Sequence, residues 1–392
     1  MFSNVFYEIA LLLLISSAVG SIGLILRQPL VVSYIIVGLF VGPALFGLVT
    51  ANDQVDLLSK MGITLLLFIV GLKLDIHIIR KTGTVALATG LGQVLFTSII
   101  GYLLCLWLGF SSITSFYVAI ALTFSSTIII IKLLSDKNET DLEYGRIAVG
   151  FLIVQDLVVI LAMIVINAVS APAQSGSTQS DIALILLKGI AFVGVVGLLM
   201  RYMLPQLTAF LSRQTELLLL FAIAWAVTLA SIAHFLGFSK EIGAFLAGLS
   251  LASTPCHNKL EHNLSTLRDF LLLFFFIDLG AMMEIKLMGG QIFPAVVLSL
   301  FVLIGNPVIV MVIMGAMGYK KRTSLYAGLT VAQISEFSLI LVSLGASYGH
   351  IDKSTLSLVT LVGLITIVCS TYMILNSDKV YDKLKLLINF SD

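Results

Sequence analysis

Long apolar runs separated by short polar punctuation dominate this chain. About twenty apolar residues in a helix cross a hydrocarbon layer of ~30 Å. Thirteen runs approach that length, near residues 5–25, 30–48, 56–73, 83–108, 113–134, 145–169, 182–203, 215–236, 239–254, 266–287, 291–317, 322–346 and 355–376. The pattern predicts an all-α membrane protein with about thirteen transmembrane helices.

Composition agrees, since 59% of the 392 residues are hydrophobic and 11% charged. A mean hydropathy of +1.10 excludes an ordinary soluble domain. Lys and Arg resist translocation and gather in cytoplasmic loops. With the N-terminus outside, Lys60, Lys188, Lys240, Lys286 and Lys353 fall in outward loops, and the other seventeen of the twenty-two basic residues face inward. This predicts a multi-pass protein of the cell (inner) membrane, N-terminus outside and C-terminus cytoplasmic. Residues 377–392 are a short cytoplasmic tail, too brief for a folded domain, so no attached nucleotide-binding domain is expected. The net charge of +1 gives no case for nucleic acid. Cys105, Cys256 and Cys369 lack CxxC spacing and read as packing residues. No cofactor is expected, and without an HExxH or GxSxG run the chain is not read as an enzyme.

Runs 2 and 9 share a short, polar-started pattern with a central glycine motif, QPLVVSYIIVGLFVGPALFG and FSKEIGAFLAGLSLASTP. Lying seven apart, they enter from opposite faces, the arrangement of inverted repeats over spans 2–6 and 9–13. Spans 5 and 12 then correspond. Each carries polar residues at depth, Thr123, Ser125, Ser126 and Thr127 in one and Thr330, Gln333, Ser335 and Glu336 in the other. Hydroxyls and amides satisfy backbone groups released by unwinding, so two broken helices are predicted, crossing where their ends balance electrostatically.

Three carboxylates lie deep in spans: Asp156, Asp278 and Glu336. Asp156 sits ~17 Å along its span, with no Lys or Arg at comparable depth. Burial penalises its charged form, so the group is suited to trading a proton for a cation. With the Gln155 amide and the hydroxyls or carbonyls of Thr123, Ser125, Ser126 and Thr127, it makes an oxygen-lined site fitted to K⁺ or Na⁺. Glu336, beside Ser335, either braces N–H groups at a break or takes part in the site, with Arg146 as a candidate partner. Asp278 is either a second titrating group or the lining of an outer vestibule. Asn306 with Pro307 is a capped kink or a further member of the site.

The segments GITLLLFIVGLKLD (62–75), Ser125-Ser126-Thr127, Gly145-Arg146 followed by Gln155-Asp156, GAFLAG (243–248), FFIDLG (275–280) and SEF (335–337) resemble the monovalent cation:proton antiporter-2 superfamily. The resemblance is nearest to the membrane part of Kef-type potassium/proton antiporters. It implies a Na⁺/H⁺ exchanger-like fold, a homodimer and elevator-like alternating access. It also implies core helices near 83–169 and 291–376, scaffold helices near 5–73 and 182–254, and a linking span near 266–287. By the same resemblance Asp156 binds the ion and proton, and Gln155 beside it is associated with potassium. Many relatives carry Lys where Asn306 stands, so its absence argues for electroneutral exchange, and Asp278 replaces a small or neutral residue. Glutathione gating is not carried over. A channel-like potassium efflux pathway without obligatory proton coupling is the rival function, disfavoured by the lack of a TVGYG-type filter.

Overall fold

The computed structural model describes residues 5–43, 45–47, 52–73, 83–174, 179–283 and 289–388. Lys286 and the end of the tail lie outside them. Among the described residues all regular structure is helical. In chain order the helices are α1 (Val5–Ile25), α2 (Leu30–Val41), α3 (Asn52–Lys73), α4 (Gly83–Trp107), α5 (Ser112–Ala121), α6 (Thr127–Asp136), α7 (Glu143–Gln174), α8 (Gln179–Tyr202), α9 (Leu204–Leu211), α10 (Thr215–Phe235), α11 (Lys240–Ala252) and α12 (His257–Ala281). They continue with α13 (Ile292–Leu300), a π-helical turn (Phe301–Gly305), α14 (Asn306–Ala316), α15 (Lys321–Leu329), α16 (Glu336–Ser347), α17 (Lys353–Leu375) and α18 (Ser377–Ile388).

Each apolar run of the sequence falls on one helix or on a pair parted by a short interruption. Seven described helices are individually long and apolar enough to cross a membrane, or eight if α8 and α9, bent by 53° at their junction, count as one span. The other runs fall on shorter, interrupted or more polar helices, so helix length alone does not set the count of thirteen. The α8–α9 bend follows from Pro205, which lacks the N–H needed to continue α8 and starts a new helix instead.

The chain divides into two compact units, one of residues 1–51, 81–159 and 277–392 and one of residues 52–80 and 160–276. In the first, Val32, Ile130, Phe151, Val310, Tyr326 and Ile367 join α2, α6, α7, α14, α15 and α17 in one apolar cluster. In the second, Phe68, Phe192, Leu218, Leu229, Leu251 and Leu260 do the same for α3, α8, α10, α11 and α12.

Each unit holds a pair of helices in reciprocal backbone contact through glycine. A Cβ on Gly38 of α2 would lie 2.0 Å from Ile277 O of α12, and one on Gly280 of α12 would lie 2.1 Å from Ile35 O of α2. In the second unit a Cβ on Gly248 of α11 would lie 1.9 Å from Phe68 O of α3, and one on Gly71 of α3 would lie 2.3 Å from Phe245 O of α11. In both pairs each glycine meets a carbonyl three residues before the partner glycine. The Gly38-xxx-Gly42 motif therefore packs within the chain, where Gly42 meets Ala281.

Ser377–Ile388 form α18. Ser377 Oγ accepts from Lys137 Nζ at 2.8 Å, and Asp378 accepts from Arg322 at 3.1 Å and from Tyr326 Oη. Val380, Tyr381 and Leu384, at helical spacing, pack on the first unit's cluster.

Candidate functional site

Both polar clusters predicted to unwind do so. Residues 122–126 separate α5 from α6, and residues 330–335 separate α15 from α16. Hydroxyl side chains close the new ends. Ser126 Oγ accepts from Ile129 N at 3.2 Å as the cap of α6. Ser335 Oγ accepts from Phe337 N at 3.1 Å, and Ser338 Oγ accepts from Ser335 N at 3.3 Å, making a capping box on α16. Thr123 Oγ1 donates back to Ile120 O at 2.6 Å.

Asp156, half-buried on α7, meets the start of α6, where Thr127 Oγ1 donates to its Oδ2 at 2.9 Å. Its carboxylate thus sits at the first turn of a helix, the end that favours negative charge. Gln155, 1% exposed, turns away from the carboxylate into the protein: its Oε1 accepts from Ser125 N at 3.2 Å and its Nε2 donates to Gln93 Oε1 at 2.7 Å. Gln93 Nε2 donates in turn to Thr123 O and to Thr97 Oγ1, each at 3.1 Å. Thr97 Oγ1 donates to Asn306 Oδ1 at 2.9 Å, and Asn306 Nδ2 donates to Leu122 O at 3.0 Å and Val331 O at 3.5 Å. A single buried chain of amides and a hydroxyl therefore joins α4, α7, α14 and both interruptions.

The second interruption is held in a matching way from α17. Thr366 Oγ1 accepts from Ile334 N at 3.4 Å, as Gln155 accepts from Ser125 N, and Ser370 Oγ donates to Gln333 Oε1 at 2.6 Å. Glu336 is the first residue of α16, buried at the end of a helix that favours a carboxylate. Asn306 stands at the kink and is bonded to both interruptions. Pro307 has no N–H for the carbonyl four residues back and its ring crowds that group, and the helix accommodates it with the π turn at Phe301–Gly305.

Two buried polar atoms at the interruptions have no hydrogen-bond partner among the described residues, Ser125 Oγ and Gln333 Nε2. The sequence-predicted residues thus gather unevenly. Thr127 pairs with Asp156, Ser125 with Gln155, and Asn306 bridges the two interruptions through Leu122 and Val331. Arg146 is exposed in the first turn of α7, and Asp278 is half-buried on α12. Gln93 and Thr97 were not foreseen. The signal was present in an apolar helix as an amide and a hydroxyl spaced i, i+4 on one face.

A family profile described as "Sodium/hydrogen exchanger, transmembrane" matches residues 10–376. The chain belongs to this family. It is a family of multi-pass membrane transporters and not of enzymes. Over 348 residues the chain is 30% identical to "Iron transporter MagA" of Paramagnetospirillum magneticum, covering 88% of this chain and 80% of MagA. The "Putative cation/proton antiporter YbaL" of Escherichia coli is 26% identical over 96% of this chain and 69% of its own. "K(+) efflux antiporter 4" of Arabidopsis thaliana is 28% identical over 85% of this chain, which spans 57% of that protein. The fold is that of the sodium proton antiporter MjNhaP1 of Methanocaldococcus jannaschii, with a TM-score of 0.62 at 15% identity over 94% of this chain and 95% of that one. Within the exchanger family fold, the buried chain of amides places a neutral side chain, Asn306, at the contact between the two interrupted helices.

Proposed function

We propose that this protein is a secondary transporter exchanging a monovalent cation for H⁺, with Asp156 carrying the two in turn. The observation that supports this most is the pairing of the half-buried Asp156 carboxylate with Thr127 at an unwound helix, in a chain of the exchanger family. The cation replaces the proton on the carboxylate and takes Thr127 Oγ1 and the unpartnered Ser125 Oγ as further oxygens. Thr123, Ser126 and Gln155 already hold protein partners and shape the site. K⁺ is the favoured ion and Na⁺ the alternative, supported by the Gln155-Asp156 pair and by relatives named for K⁺ efflux. With neutral Asn306 at the interruptions, exchange is electroneutral.

The proposal extends to the frame around the site. Thirteen spans form inverted repeats, spans 2–6 and 9–13, supported by the matching glycine contacts of α2 with α12 and α11 with α3. The two interrupted helices cross, supported by their shared bonds to Asn306. A core of helices near 83–169 and 291–376 moves in elevator fashion against a scaffold near 5–73 and 182–254, linked by the span near 266–287. The protein acts as a homodimer in the cell membrane with its N-terminus outside.

Proteoliposomes with an imposed pH gradient test the reading. K⁺, Na⁺, Li⁺, Rb⁺ and NH₄⁺ are added in turn, and K⁺ is expected to dissipate the gradient most effectively. Cation flux that ignores the proton gradient would favour the channel-like pathway instead.

A further inference from the structure

We propose that Gln93 is a positioning residue for cation exchange, acting through Gln155 and not on the ion itself. This rests on the exchange reading above. Gln93 lies on α4 with no exposed surface, and its carboxamide is engaged at each polar atom: Oε1 accepts from Gln155 Nε2 at 2.7 Å, and Nε2 donates to Thr123 O and Thr97 Oγ1 at 3.1 Å. Both N–H groups of the amide are used, so rotating it by half a turn would set two NH₂ groups against each other and a carbonyl oxygen against Thr123 O. Gln93 thereby fixes which end of Gln155 faces the unwound stretch. The oxygen must meet Ser125 N, as observed at 3.2 Å. Two residues further on, Thr127 donates to Asp156. The orientation of one amide on α4 thus sets the backbone that presents the hydroxyls of Ser125 and Thr127 to the ion-carrying carboxylate. A residue that only filled space would need none of these directed bonds.

The test is cation-dependent transport by the full chain in proteoliposomes, with K⁺ as the probe. The variants are Gln93→Met, Gln155→Met, the double variant and Gln93→Glu. Methionine keeps the shape and removes the hydrogen bonds. Each single Met variant is expected to raise the apparent KM for K⁺ about tenfold, with the maximal rate changed much less. Because one residue acts through the other, the double variant is expected to match the singles and not to multiply them. Gln93→Glu keeps an acceptor facing Gln155 Nε2 but sets an oxygen against Thr123 O where an N–H stood, and is expected to raise KM at least as much as Gln93→Met. A wild-type KM in Gln93→Met or in Gln93→Glu, or multiplying effects in the double variant, would each overturn the proposal. Asp156→Asn, measured in parallel, separates the two levels. Transport in that variant sinks the exchange reading, whereas its silence alongside a wild-type KM in Gln93→Met sinks only the role given to Gln93.

Discussion

Asn306 Nδ2 donates to Leu122 O at 3.0 Å across 184 residues of chain, so one neutral side chain holds a carbonyl that the unwinding of α5 has released. Its oxygen accepts from Thr97, and it reaches Val331 O in the second interruption at 3.5 Å. Both interruptions thus share one amide that brings no charge. The charge beside the first interruption comes from Asp156, which accepts from Thr127.

Replacing Asn306 with Leu keeps the volume and strands the Thr97 hydroxyl and the carbonyls of Leu122 and Val331. Each unsatisfied group costs about 1–3 kcal/mol. Purified Asn306→Leu is expected to unfold at a clearly lower temperature than the wild type, with transport lost. An unchanged unfolding temperature would show that the bridge does not hold the interruptions.

Ser125→Ala separates stability from function. The hydroxyl is fully buried and has no partner among the described residues, so its removal relieves an unpaired polar group. The unfolding temperature is expected to stay level or rise while the KM for the transported cation increases severalfold. A variant with wild-type cation KM would remove Ser125 from the ion site.

Helix contact through glycine predicts a sharp positional contrast. Gly248→Ala forces a methyl to within 1.9 Å of Phe68 O, a backbone atom that cannot swing aside, and is expected to cost about 1–3 kcal/mol or more. Gly194→Ala, where a Cβ meets nothing within 4 Å, is expected to be neutral or slightly stabilising. Thermal unfolding of the two variants side by side checks this.

The docking of α18 is pH-dependent with a defined sign. The hydrogen bond from Tyr326, aided by that from Arg322 and by the charge of Lys137, outweighs burial and holds the Asp378 carboxyl below its usual range. A carboxyl whose folded value is depressed contributes stability above its unfolded value, near 3.9, and loses it as the pH falls through the folded one. The side chain is largely exposed, so solvent screening keeps the effect small. Hydrogen exchange of residues 377–388, corrected for intrinsic rates, is expected to lose protection on acidification below the usual carboxylate range. Asp378→Asn is expected to show the reduced protection already at neutral pH. Equal protection in variant and wild type would contradict the contact.

Much of this was legible in the chain because lipid imposes simple demands. A span must be apolar, so the runs appear directly. An unwound stretch must satisfy its own backbone, so hydroxyls gather at Thr123–Thr127 and around Ser335. A carboxylate deep in a span is costly, so Asp156, Asp278 and Glu336 stand out from the sequence. Other features needed three dimensions. Gln93 and Thr97 look like ordinary polar spacers until the fold sets them between Gln155 and Asn306. Pro307 announces a disturbance and not its form, since a kink and a π turn both answer a missing N–H. Helix α9 begins where Pro205 interrupts the chain, and α18 follows from the spacing of Val380, Tyr381 and Leu384, a short pattern overshadowed by the membrane runs before it.

The central claim is that one carboxylate carries both ions. Proteoliposomes containing wild type or Asp156→Asn, loaded with K⁺ and given a pH gradient, test it directly through simultaneous recording of internal pH and K⁺ efflux. The account predicts coupled, opposite movement of H⁺ and K⁺ in the wild type and neither movement in Asp156→Asn, with the variant folded. Coupled exchange that persists in Asp156→Asn would contradict it.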